Sequence, residues 1–238
     1  MIPYIVLNGV TSKNVNGLLI QNLPPISKPL LRTSTETVDG RDGDIVNVLG
    51  YAAYDKTFNI GLRGEYNVDD VIKFFNTSGR VVFSNEPDKY YNFAIYNQID
   101  FNKLIRFKTA SVTMHVQPFK YDADATESVY NYPSGTTSAT ISVRNKGNIY
   151  SKPILTITGA GTVTVSLGNT QILTLALGTG KTIIIDAEQM NAYDTSGNYL
   201  NRQVTGDYSK LILNAGLNDL VISGSITEVK IDRASRWI

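Results

Sequence analysis

The chain has 238 residues, of which 42% are hydrophobic, a formal net charge of +1 and no cysteine. That length holds one large domain or two of ordinary size with a well-buried core. The lack of cysteine excludes disulfides, thiolate metal sites and cysteine nucleophiles, and suits folding in a reducing cytoplasm. Residues 1–127 carry 13 basic and 14 acidic side chains and residues 128–238 carry 9 and 7, so neither half offers a basic stripe for nucleic acid.

The N-terminus, Met1 to Leu7, has no basic leader, and no run of about 18 apolar residues occurs anywhere. A soluble, unprocessed chain is expected. The first unusual segment is Leu31–Val38, strand-compatible but polar on both faces. The turn Asp39-Gly-Arg-Asp-Gly-Asp44 follows, then a second strand, Ile45–Leu49. A long hairpin with so little apolar surface is marginal alone and leaves its edges open. Pairing with another chain by β-augmentation resolves both problems, and Thr33, Thr35, Thr37, Arg41, Asp42, Asp44 and Val46 are the residues placed to make it.

Strands are expected over Thr57–Ile60, Arg80–Phe83, Tyr91–Tyr96 and Phe107–Gln117, with one helix among them. Asn67 caps it, Asp69 and Asp70 suit its dipole, and Val68, Val71, Ile72 and Phe75 form its apolar face. Gly79 offers a left-handed stop. All eight Phe lie between Phe58 and Phe119, and the polar, turn-rich stretch Lys120–Ser138 then reads as a linker. Two domains follow, 1–127 and 128–238.

The second half alternates short β-branched runs with turn signals: Thr140–Val143, Ile154–Thr158, Thr162–Leu167, Ile172–Ala176, Thr182–Ile185, Leu220–Ser223 and Glu228–Ile231. This is the pattern of an antiparallel β-sandwich. The predicted class is mainly β, with a sandwich-like first domain that carries one helix and an extended hairpin.

Catalytic patterns are absent. The single histidine, His115, falls on the polar face of its strand with Thr113 and Gln117, and no Gly-x-Ser-x-Gly elbow supplies a nucleophile. Gly178-Thr-Gly-Lys-Thr182 imitates a phosphate loop, but Leu175 stands where its first glycine belongs and a strand follows, so a hairpin turn is expected. Asp39, Asp42 and Asp44 do not match an EF-hand. Among Asp186, Glu188, Asp194, Asp207, Asp219, Glu228 and Asp232, several occupy turns and no hydrolytic pair is evident. Tyr193, Tyr199, Tyr208 and Trp237 could serve as a docking or sugar platform. A structural, non-enzymatic protein without metal or cofactor is expected. A carbohydrate-binding sandwich module is the alternative.

Several motifs in order carry a more specific likeness. Asp39–Asp44, the helix Val68–Asn76, Arg80–Tyr91 and Met114–Tyr121 are followed by Asn145–Asn148, Lys152–Ile154, Ile185-Asp186, Asn214–Asn218 and Arg233–Trp237. Together they resemble the distal tail protein family of long-tailed, non-contractile bacteriophages. The resemblance implies a homohexameric ring joining the tail tube to the tail tip or baseplate, with a channel through which DNA passes. It implies partners in the tube protein, the tail-associated tip protein and receptor-binding or baseplate proteins, and a place in the virion tail after assembly in the host cytoplasm. It also implies that residues 31–49 form a belt reaching a neighbouring subunit and that the second domain is galectin-like. No inserted carbohydrate-binding domain is visible.

Overall fold

The computed structural model describes residues 2–238, which divide into two compact units, residues 2–123 with Ile238 and residues 124–237. In the first unit the elements are β1 (Ile5–Leu7), β2 (Val10–Thr11), β3 (Leu18–Ile20), β4 (Leu31–Thr37), β5 (Asp44–Tyr51), β6 (Tyr54–Leu62), α1 (Val68–Phe75), β7 (Gly79–Phe83), β8 (Lys89–Ala94), α2 (Phe101–Phe107) and β9 (Thr109–Asp122). All but β4 and β5 form one antiparallel path, β2-β1-β7-β8-β9-β6-β3. Alternation drives it: Phe58 and Ile60 of β6 and Val112, Met114 and Val116 of β9 point into one core, while Asp55, Thr57 and Asn59 face out. His115 lies on the outer side as its spacing predicts, 2.8 Å from Asp55 Oδ1.

The helix α1 begins as expected, with Asn67 Oδ1 accepting from the Asp69 amide at 2.9 Å. Its buried face is Val71, Phe74 and Phe75, whereas Val68 is half-buried and Ile72 is exposed. Phe75 sits against Phe58, with ring centroids 6.5 Å apart, and that contact decides the rotation. Gly79 opens β7 rather than closing the helix. A second helix, α2, corrects the expectation of one. Asp100 caps it by accepting from the Lys103 amide at 2.8 Å, and Lys108 ends it in the left-handed conformation. Only Leu104 of α2 is buried, so its apolar periodicity is too short to stand out.

The second unit comprises β10 (Ser128–Asn131), β11 (Ser138–Asn145), β12 (Ile154–Leu167), β13 (Thr170–Asp186), β14 (Asn191–Tyr193), β15 (Val204–Gly206) and β16 (Gly216–Asp232). The runs read as separate strands are here joined: β12, β13 and β16 are long and each serves two layers. Residues 154–160, 181–186 and 226–232 pair with one another and with β10 and β14; residues 164–167, 170–177 and 216–223 pair with one another and with β11 and β15. Side chains from both layers, Leu155, Ile183 and Val229 from one and Ile141, Leu175 and Ile222 from the other, share one core. This is a β-sandwich whose corners are turned by continuous strands.

The three long strands bend at one level. The register breaks between Gly159 and Gly161 in β12, residues 178–180 of β13 stand out of the ladder, and Gly224 marks the bend in β16. The segment 178–180 is therefore a bulge within a strand and not a hairpin turn. The bends bring backbones close: a Cβ on Gly159 would lie 2.2 Å from the Ser225 carbonyl oxygen, and one on Gly224 2.5 Å from that of Thr162. Gly224 also has φ +126°, which side chains rarely adopt. Gly224→Ala should destabilise the protein by about 2–4 kcal/mol in urea unfolding. Gly178→Ala, whose nearest neighbour is the mobile Lys181 side chain at 3.2 Å, should stay within about 0.5 kcal/mol.

Candidate functional site

The feature least explained by folding is the β4–β5 hairpin. Its strands pair only with each other, with Thr33 opposite Val48, Thr35 opposite Val46 and Thr37 opposite Asp44. Every residue of β4 is exposed. Directly opposed residues share a face, so Thr33, Thr35, Val46 and Val48 make one β-branched surface. Val46 and Val48 are 56% and 64% exposed, far more than an isolated domain needs to leave in water. A bulge at Leu49 and Gly50 breaks the register near the base. Arg41 and Asp42 lie in the exposed loop at the tip, and Asp44 begins β5. Val48 belongs to this surface although the sequence reading stopped at Val46; the alternation Val46-Asn-Val48 is the signal that identifies it.

The base of the hairpin is tied to the sheet by a buried polar cluster. Lys56 lies on the inner face of β6 between Tyr54 and Phe58 and is 3% exposed. Its Nζ donates to the Pro25 carbonyl at 2.8 Å and lies 4.8 Å from the centre of the Tyr91 ring. Glu86 accepts from Lys120 Nζ at 2.9 Å and from the Tyr91 hydroxyl at 2.7 Å. Asn85 donates to the Pro24 carbonyl at 3.2 Å. Burial lowers the Lys56 pKa, with Glu86 opposing the shift. Burial, reinforced at Tyr91 by the bond to Glu86, raises the pKa values of Tyr91 and Tyr54 above the ordinary tyrosine value of 10.0. Sequence reasoning missed this cluster. The signal was a lysine in phase with the inward residues Tyr54, Phe58 and Ile60.

The proposed platform residues differ in exposure. An antiparallel bridge sets Tyr193 beside Tyr199, which is exposed, but no ring contact joins Tyr193, Tyr199 and Tyr208. Tyr208 packs against the sandwich core with its hydroxyl enclosed, and Trp237 is half-buried. The acids of this unit serve the fold. Asp186 accepts from the Glu188 and Gln189 amides, Asp194 from those of Ser196 and Asn198, Asp207 from Ser209 and Asp232 from Ala234. Asp219 accepts from Ser142, Glu188 pairs with Arg236 and Glu228 with Lys230. No group of three metal-ligating side chains occurs among the described residues, Asp39, Asp42 and Asp44 included.

The chain matches a crystal structure of the SPP1 Dit (gp 19.1) protein, described as a paradigm of the hub adsorption apparatus of phages infecting Gram-positive bacteria. The TM-score is 0.69 at 16% identity, covering 98% of this chain and 99% of that one. The fold is that of a Dit protein from end to end. A chain of the phage P2 baseplate in its activated conformation with Ca is similar with a TM-score of 0.50 at 10% identity, over 97% of both chains. No family model and no curated protein matches the sequence. At the level of fold, the structural likeness bears out the resemblance to distal tail proteins carried by the motifs.

The buried cluster sets a pH dependence. Folded Tyr91 and Tyr54 keep protons that the unfolded chain releases above about pH 10, so their contribution is complete below that value and is lost as pH rises. Urea midpoints measured from about pH 9 to about pH 11 should fall less steeply for Tyr91→Phe than for wild type. Glu86→Gln leaves two buried ammonium groups facing each other without a counter-charge and should cost about 3 kcal/mol in the same assay at neutral pH.

Proposed function

We propose that this protein is a structural component of the tail of a long-tailed phage or prophage. In this reading it forms a homohexameric ring between the tail tube and the tail tip or baseplate, with an open centre through which DNA passes. The observation that carries it is the hairpin: a two-stranded ribbon with exposed valines and open edges, on a chain whose fold matches a phage hub protein over its whole length. Covering Val46 and Val48 with a neighbouring subunit would contribute about 1–2 kcal/mol for each, since both are already partly buried. Repeated around a closed ring, such a heterologous contact leaves no edge free. A net charge of +1 suits a passage for DNA better than a phosphate clamp.

The ring would meet the tube protein on one face and the tail-associated tip protein on the other, with receptor-binding or baseplate proteins docking further out. The virion tail is the proposed location and the host cytoplasm the site of assembly. The engaged carboxylates and the lone His115, bonded to Asp55 on an outer face, support a non-enzymatic role. Tyr208 packs against the sandwich core with its hydroxyl enclosed, which weighs against its use as a sugar platform and against a carbohydrate-binding module.

Light scattering over a concentration series, with negative-stain images of the same fractions, tests the ring. A hexamer with a central hole is expected in wild type, or on addition of tube or tip protein as a template. Deletion of residues 33–47 should give folded monomers. Rings that persist after the deletion would remove the hairpin from the assembly mechanism. Val46→Glu with Val48→Glu should reproduce the loss of rings while leaving monomer stability within about 0.5 kcal/mol, because both sites are exposed.

A further inference from the structure

Between Ile20 and Leu31 the chain that carries the hairpin has no regular secondary structure. Main-chain bonds hold the stem at its ends, from the Gln21 amide to the Asn59 carbonyl and from the Ala52 amide to the Leu30 carbonyl, but Pro24, Pro25 and Pro29 supply no N–H groups, so a backbone ladder cannot hold its middle to the sheet. Side chains do so through its carbonyls: Asn85 donates to Pro24, Lys56 to Pro25 and the Tyr54 hydroxyl to Ser27 at 3.4 Å. Of the three donors, only Lys56 is both charged and fully buried.

A buried ammonium is costly unless it is well paired. Here two lysines share one glutamate, and Glu86 is already taken by Lys120 and Tyr91. Lys56 is left with the Pro25 carbonyl as its hydrogen-bond acceptor, among the rings of Tyr91, Tyr54 and Phe83. Methionine would fill the same space at lower electrostatic cost, so folding alone does not explain a lysine. What the lysine adds is a directed, charge-assisted bond to the stem.

We propose that Lys56 is a positioning residue that latches the Pro25 carbonyl and thereby presets the direction in which the β4–β5 hairpin leaves the sheet. The ordering cost of the stem is then met during folding and not during association. The purpose of the latch rests on the assembly reading above, but its existence does not.

Because the chain is free of cysteine, the latch can be tested with two introduced spin labels in the otherwise intact protein. Arg41→Cys at the hairpin tip and Lys103→Cys on α2 both lie at exposed positions of the first unit. In the Val46→Glu, Val48→Glu background, in which the protein is monomeric, the labels should show one narrow distance distribution, and Lys56→Met should broaden it about twofold or more. The melting temperature of Lys56→Met should hold or rise, because a buried charge has been removed. Pro25→Ala, which keeps the carbonyl, should leave the distribution narrow. An unchanged width in Lys56→Met would overturn the proposal. A broadening accompanied by a large fall in melting temperature would also overturn it, since Lys56 would then be a support of the core. The readout uses monomers, so failure of the protein to form rings is a separate result that bears only on the assembly reading.

Discussion

A two-stranded ribbon cannot enclose a core, because each strand has one neighbour and both faces meet water. The β4–β5 hairpin is such a ribbon, and much of the first unit is arranged around holding it. The stem before it is rich in proline, so its carbonyls take bonds from side chains where a backbone ladder is impossible. The donors come from β6 and from the turn after β7, and both belong to the sheet over which the phenylalanine core is packed. A charged residue on the inner face is tolerated because the stem carbonyl, Glu86 and the Tyr91 ring surround it. The ribbon is thus exposed at its faces and fixed at its root.

The second unit meets the same need to protect strand edges in another way. Its three longest strands run through both layers, so the corners of the sandwich are continuous chain. This requires backbones to approach within the space of a methyl group, and glycine occupies the points of closest approach, Gly159 and Gly224. Polar side chains in this unit are spent on turns: the aspartates that might have suggested hydrolysis each accept from nearby amides or hydroxyls.

Much of the fold was legible because it follows from period-two alternation. The inward sets of β6, β9, β11 and β12 can be counted off the sequence, as can the Asn67 cap and the outward position of His115. Features that depend on short signals or on distant contacts were not legible. The helix α2 buries only Leu104 and offers less than two turns of pattern. The bulge at 178–180 carries the same glycines as a turn, and only its partner strands show that the strand continues through it. The face of α1 was misjudged at Ile72 because the ring of Phe58, which fixes the rotation, lies in a separate strand.

Composition and patterning by themselves determined that the chain is a β-rich protein with an under-stabilised hairpin. Local physics suffices for this, since alternation and turn residues are read within a few residues. Tertiary structure alone decided that the hairpin pairs with no other strand among the described residues, that Lys56, Glu86, Tyr91 and Lys120 meet beneath its stem, and that Tyr208 packs against the sandwich core. Those facts join residues tens of positions apart, and their geometry is set by how sheets pack, which no local pattern records.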